Sequence, residues 1–246
     1  MLVISASYGN DSVALIQWAH EMRLEDVYVV YCDTGWSASW WQDRVDRGEA
    51  LARGYGFTAI TMLSGGMEEL VKSKKMWPRP GRQFCTIQLK CVPFLVWIDE
   101  IDPDTKAVIL IGKRRAESKK RAETPEFVYD SELHGGRDLW HPLFKHTDEE
   151  RNELVKRSGL ELLPMRSQDC SPCIYATRAN LAALPQSSID RVCEVEVEIM
   201  KPMFPANRYK ALGIHGVVQQ VRRSMDAGED DEEPEGSCGS PFGCGL

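Results

Sequence analysis

Leu2-Val-Ile-Ser-Ala-Ser-Tyr-Gly-Asn-Asp-Ser12 decides how the rest of this chain is read. Leu2 to Ile4 is a short apolar β-type run. Ser5 to Asn10 is small and polar and contains Gly9. From Asp11 to Leu24 the apolar residues Val13, Ile16, Trp18 and Met22 recur at helical spacing. A strand that passes through a tight turn into a helix leaves unpaired N–H groups, and the positive end of the helix dipole, aimed at one spot. Gly9 allows a phosphate close to the backbone, and the hydroxyls of Ser5, Ser7 and Ser12 can donate to it. No Gly-Lys-Ser/Thr follows, so this is not a Walker loop. Taken alone, the stretch also fits a polar turn with Asp11 as a helix cap.

The same alternation continues outward. Val27 to Tyr31 is an apolar strand running into Cys32-Asp-Thr-Gly35. Ser39 to Tyr55 fits a helix closed by Gly54 and Gly56, and Thr58 to Leu63 is a β-branched run ending in Ser-Gly-Gly66. Val92 to Ile101 reads as a helix, and Ala107 to Ile111 as a strand ending at Gly112. Strands alternating with helices predict an α/β fold: a Rossmann-like parallel sheet flanked by helices. Ligands of such sheets sit beyond the carboxyl ends of the strands. That rule puts Ser5–Ser12, Asp33–Trp36, Ser64–Gly66 and Gly112–Arg115 on one rim. Thr147-Asp-Glu-Glu150 is a capping box that opens a helix to about Ser158, with Gly159 as its stop. Helices are also expected over Ile174–Leu184 and Ile189–Met200. The predicted organisation is a nucleotide-binding α/β domain over 1–145, a small helical cysteine-containing region over 146–225, and an acidic mobile tail over 226–246.

Of the formal net charge of −7, six units come from Glu229, Asp230, Asp231, Glu232, Glu233 and Glu235, which leaves about −1 elsewhere. A strongly basic nucleic-acid surface is therefore absent overall. No apolar run approaches the roughly 18 residues of a membrane span, and the start lacks the features of a secretory signal. A cytoplasmic location is the expectation. In a reducing compartment, clustered cysteines suggest metal or redox work more than disulfides. Of the eight cysteines, Cys32 reads as a small buried hydrophobe.

Ser7-Tyr-Gly-Asn-Asp-Ser12 resembles the Ser-Gly-Gly-x-Asp-Ser loop of the PP-loop ATP pyrophosphatases, with Tyr8 in place of the first Gly. Val29-Val-Tyr-Cys-Asp-Thr-Gly35 and Ile111-Gly-Lys-Arg-Arg-Ala-Glu-Ser-Lys-Lys-Arg121 resemble two segments of the related PAPS reductases. Aspartic proteases also carry Asp-Thr-Gly, but they are all-β. The resemblance, to the adenine-nucleotide α-hydrolase-like group and its iron–sulfur branch, implies an HUP-type fold and a bound adenine nucleotide, either ATP with Mg or APS/PAPS. It implies nucleotide contacts from Ser5, Ser7, Tyr8, Gly9, Asn10, Asp11 and Ser12, from Asp33, Thr34 and Gly35, and from Gly112, Arg114, Arg115, Glu117, Ser118 and Arg121. Asp11, Lys90 and Arg115 are the implied catalytic groups, and retention of Asp11-Ser12 leans toward ATP. Lys90 lies in Phe84-Cys-Thr-Ile-Gln-Leu-Lys-Cys-Val-Pro93, which is similar to the family's Cys-x4-Lys-x2-Pro segment.

Cys85 and the later Cys170-Ser-Pro-Cys173 together resemble the cysteine set of the iron–sulfur members, so Cys85, Cys170 and Cys173 are the implied ligands of a [4Fe–4S] cluster. Zinc is the alternative, and the fourth position lies between Cys91 and Cys193. The terminal Cys244-Gly-Leu246 looks like the nucleophile segment of the reductases, although Gly243 replaces their Glu and the final His is missing. Three functions follow from the resemblance. The first is ATP-dependent sulfur insertion with a sulfur donor. The second is reduction of APS or PAPS by Cys244 with a thioredoxin-like reductant. The third is a non-catalytic nucleotide-binding subunit. A nucleic-acid substrate brought by a partner protein, and a second copy of the chain, are the candidate partners.

Overall fold

The computed structural model describes residues 1–227. In chain order the elements are β1 (Leu2–Ser5), α1 (Asn10–Glu21), β2 (Val27–Asp33), α2 (Trp41–Gly54), β3 (Thr58–Leu63), α3 (Met67–Lys74) and α4 (Phe84–Thr86). A π-helical turn, Ile87–Cys91, joins α4 to α5 (Val92–Ile101). Then come β4 (Val108–Leu110), β5 (Phe127–Ser131), β6 (Arg137–Trp140), α6 (Asp148–Arg157), α7 (Arg178–Ala182), α8 (Gln186–Ile199), α9 (Ala206–Tyr209) and α10 (Gly213–Asp226).

The six strands form one sheet in the order β3-β2-β1-β4-β6-β5. All neighbours are parallel except β5 and β6. β1 is central, with Ser5 opposite Val30 and Ile4 opposite Leu110. Val3, Ile4, Val29, Val30, Ile109 and Leu110 are fully buried. These uninterrupted apolar runs exist because helices cover both faces of the sheet. On one face Ile4, Val29 and Tyr31 pack with α1, α2 and Leu154 and Val155 of α6. On the other, Val3, Val30 and Ile109 pack with Phe94 and Ile98 of α5. A third core joins Trp36, Met67 and Val71 to α8 and α10. Among the described residues no helix is long and apolar enough to cross a membrane.

The capping box forms as expected: the Glu150 N–H donates to Thr147 Oγ1 at 3.2 Å, the Thr147 N–H donates to Glu150 Oε2 at 2.8 Å, and Gly159 ends the turn at φ 76°. Several boundaries differ from the sequence reading. α1 stops at Glu21 because Arg23 turns left-handed at φ 55°, with no glycine to announce it. The helix expected over Ile174–Leu184 begins only after the Thr177 cap, whose Oγ1 accepts from the Asn180 N–H. Ile174 to Ala176 form cavity wall instead. The antiparallel edge strand β5 and the amphipathic α10, with Ile214, Val217, Val218 and Val221 buried, were not expected.

Candidate functional site

A cavity of about 490 Å³ opens beyond the carboxyl ends of β1, β2 and β4. Ser5, Ser7 and Gly9 to Ser12 line it, as do Thr34, Gly112 and Lys113, and so do Cys85, Cys170 and Cys173. Three of the four predicted rim segments contribute residues to the cavity lining. Ser64–Gly66 contributes none, although the next residue, Met67, lines the cavity.

The turn after β1 is shaped by close approach. Tyr8 has φ 58°, the left-handed region that a glycine favours. Its ring leaves the site and is fully buried, 5.8 Å from the Tyr31 ring. Gly48 makes room for it, because a Cβ there would stand 2.1 Å from Tyr8 Cδ1. Arg44 supports the turn from behind, with Nε donating to the Tyr8 carbonyl at 3.1 Å and an amino group to the Glu161 carbonyl at 2.8 Å. A Cβ on Gly112 would sit 2.8 Å from the Asp11 carbonyl oxygen, so β4 can meet α1 only through glycine. Asn10 donates to the Leu163 carbonyl at 2.8 Å and accepts from its N–H at 3.0 Å, which ties the turn to the 163–169 segment. Ser5 Oγ and Thr34 Oγ1 are buried at the cavity wall without a hydrogen-bond partner among the described residues. Buried polar groups are ordinarily paired, so these hydroxyls are available to a ligand. The dipole of α1 points the same way.

Beside the turn lies a charged cluster. Arg114 Nε donates to Asp11 Oδ1 at 2.6 Å, and its terminal groups reach Asp148 Oδ1 at 2.8 Å and the His146 carbonyl at 3.2 Å. Arg151 reaches Asp11 Oδ1 at 3.3 Å and Asp148 Oδ1 at 3.6 Å. Glu117 accepts from the Arg114 N–H at 2.6 Å and pairs with Arg121. Burial, reinforced by the nearby Asp11 charge, holds the Glu117 carboxyl above its ordinary range.

On the cysteine side, Lys90 Nζ donates to Asp169 Oδ2 at 2.6 Å in a buried pair, and Ser167 Oγ donates to Asp169 Oδ1 at 2.7 Å. The Cys170 thiol is pushed up, first by its hydrogen bond with Cys173, then by burial and by the charges of Cys173, Cys85 and Asp169. The three thiols thus share one neighbourhood and form no disulfide. Arg191 anchors their loop. It lies 4.1 Å from the Trp36 ring centroid and donates to the carbonyls of Ser37 at 3.2 Å and Ser171 at 2.8 Å. Among the described residues no three His, Cys, Asp or Glu side chains stand arranged to hold a metal ion. The donor set, three soft thiols on one wall, is nevertheless chemically suited to iron or zinc.

Several expected residues do not come to the cavity. The Tyr8 side chain turns into the core. Asp33 Oδ1 accepts from the Gly35 N–H at 2.8 Å and so shapes its own turn, and of the Asp33–Gly35 stretch only Thr34 lines the wall. Arg114 is buried and fully engaged, so it braces Asp11 from behind. Arg115 lies over Phe144 at 4.9 Å and donates to the Thr124 carbonyl, and the exposed Ser118 points elsewhere. Cys91 packs against the sheet with Cys32, whose thiol burial pushes up to about 12. Cys193 sits at the margin of the helical core. Cys238 and Cys244 lie outside the described residues. The cavity also recruits Arg151, Arg166, Ser167 and Asp169, which the sequence reading did not single out. Asp169 could have been noticed as the neighbour of Cys170. Arg151, one turn into a capping-box helix, carried no such signal.

Fold and site together define a Rossmann-like α/β protein whose polar strand-to-helix turn and three thiols line one cavity. Residues 1–213 match the phosphoadenosine phosphosulfate reductase domain, and the chain belongs to that family. An uncharacterised 37.8 kDa protein from Escherichia phage 186 is 28% identical over 123 residues, 47% of this chain but only 37% of that protein. Two solved structures are similar at 15% identity. Phosphoadenylyl-sulfate reductase from Candida auris, in a phosphate complex, gives a TM-score of 0.48 over 65% of this chain and 74% of its own. The U34-tRNA thiolase NcsA from Methanococcus maripaludis, with its [4Fe-4S] cluster, gives 0.47 over 99% of this chain and 78% of its own.

Proposed function

We propose that this chain is an enzyme of sulfur metabolism that binds an adenine nucleotide and uses ATP to activate an acceptor for sulfur transfer in the cytoplasm. The observation that carries this reading is that the Ser5–Ser12 turn and the thiols of Cys85, Cys170 and Cys173 face one cavity. The nucleotide's phosphates would lie against the N-terminus of α1, where N–H groups and the hydroxyls of Ser5 and Ser7 donate to them. An acceptor oxygen would attack the α-phosphorus, the bond to the β-phosphate oxygen would break, and pyrophosphate would leave. A sulfur nucleophile would then displace AMP from the adenylated acceptor. Asp11, braced by Arg114, fits the ATP-using branch. Cys85, Cys170 and Cys173 would hold a [4Fe–4S] cluster, with zinc as the alternative, and such a group supplies thiophilic metal chemistry beside the reacting centre.

A second reading, reduction of PAPS or APS to sulfite, is favoured by the matched family and by the terminal Cys244-Gly-Leu246. The two separate on products. The full chain, purified anaerobically and assayed for iron and zinc, is supplied either with ATP and acceptor or with PAPS or APS and reduced thioredoxin. Pyrophosphate release supports the first reading, and sulfite release that Cys244→Ser abolishes supports the second. A chain that binds ATP but turns over only after a second subunit is added would instead be a binding partner in a larger complex.

A further inference from the structure

Arg151 differs from Arg114, Arg121 and Lys90. Arg114 is closed into the protein: its contacts to Asp11 and Asp148 are 2.6 and 2.8 Å, the lengths of strong charge-assisted bonds. Arg121 is paired to Glu117, and Lys90 to Asp169. Arg151 lines the cavity and touches the same two carboxylate oxygens that Arg114 already holds, but at 3.3 and 3.6 Å. The second of these is beyond hydrogen-bond length. Its Nε donates to the neighbouring Asn152 at 2.7 Å, which fixes the stem and leaves the terminal amino groups loosely held. Asp11 and Asp148 would thus keep their short bonds to Arg114 if those groups turned away. The stem is placed precisely, because α6 starts at the Thr147–Glu150 capping box and its Leu154 and Val155 pack in the same core as α1.

We propose that Arg151 grips the outer phosphates of the nucleotide and sets the preference for a long phosphate tail. This deepens the nucleotide reading above and rests on it. When a polyphosphate lies along the N-terminus of α1, its terminal amino groups exchange two long contacts to carboxylates for short bonds to phosphate oxygens. A guanidinium makes such bonds in pairs. Arg114 stays on Asp11, so no carboxylate is left without a cation. AMP, which ends at the α-phosphate, gains nothing from Arg151.

The test is calorimetric titration of the full chain with ATP and with AMP. Arg151→Met should weaken ATP binding about tenfold or more, as the loss of a charge-assisted pair does, and leave AMP binding within about twofold; Arg151→Lys should fall between. Asp148→Asn removes one competing carboxylate and should tighten ATP binding about twofold or more. This keeps the test open if Arg151→Met does not fold. The proposal is overturned if Arg151→Met binds ATP as the parent does, if it loses ATP and AMP alike, or if Asp148→Asn leaves ATP affinity unchanged. If the unaltered chain binds neither nucleotide, the nucleotide reading falls and this proposal with it. If it binds both and Arg151→Met changes nothing, only this proposal falls.

Discussion

Alanine at position 48 should destabilise the protein although glycine is a poor helix residue. Gly48 lies inside α2, where Gly→Ala ordinarily gains roughly 1 kcal/mol. Here the added Cβ would stand 2.1, 2.6 and 2.8 Å from Cδ1, Cε1 and Cγ of Tyr8, where carbon atoms rest about 3.5 Å apart. The ring would have to shift by roughly 1 Å, and it has no free space, being fully buried against Tyr31 and the α1 side of the sheet. Overpacking of this kind costs about 1–3 kcal/mol. With the clash at the upper end of that range, the net loss should be about 2 kcal/mol. Removing the ring reverses the sign. In a Tyr8→Gly background, which restores a glycine at φ 58°, alanine at 48 meets no ring and should stabilise by about 1 kcal/mol. The coupling between the two sites is then about 3 kcal/mol. Urea unfolding followed by circular dichroism on the parent, the two single variants and the double variant measures it. If alanine at 48 stabilises the parent, or costs the same in both backgrounds, the packing account of this turn is wrong.

Two further outcomes can be checked. After anaerobic reconstitution with iron and sulfide, Cys91→Ala and Cys193→Ala should keep the metal content of the parent, whereas Cys85→Ala, Cys170→Ala or Cys173→Ala should lose most of it. A full loss in Cys91→Ala would contradict the placement of that thiol against the sheet. Acid should weaken the fold through two histidines. Burial holds both His134 and His141 down to about 4 from an ordinary 6.5. They stay neutral in the folded chain while the unfolded chain takes up protons. Their contribution is therefore complete above pH 6.5 and is lost as pH falls toward 4, by about 2 kcal/mol per histidine between pH 8 and pH 5. His141 Nδ1 must carry its hydrogen, because its partner at 2.8 Å, the Pro125 carbonyl, can only accept. His141→Asn should flatten the pH dependence of urea unfolding, and an unchanged slope would refute the assignment.

Whatever rests on local physics could be read from the chain. The turn Ser5–Ser12, the strand ending at Asp33, the Thr147 capping box and the Gly159 stop are each decided by neighbours within a few residues, and the alternation of strands and helices then implied a parallel sheet with one functional rim. Where side chains point could not be read that way. Arg114 and Arg115 are adjacent in the same basic run, yet one is sealed against Asp11 and the other lies on Phe144. Cys85 and Cys91 sit six residues apart on one helical stretch and so on different faces, but only the packing shows which face meets the cavity: Cys85 lines it and Cys91 packs on the sheet. Tyr8 reads as a phosphate contact until Gly48, forty residues on, is seen to have made room for its ring. Composition and spacing determined the kind of fold and the chemistry present. Packing between distant segments decided which of those groups face the ligand, because side-chain direction depends on what the opposite wall leaves open.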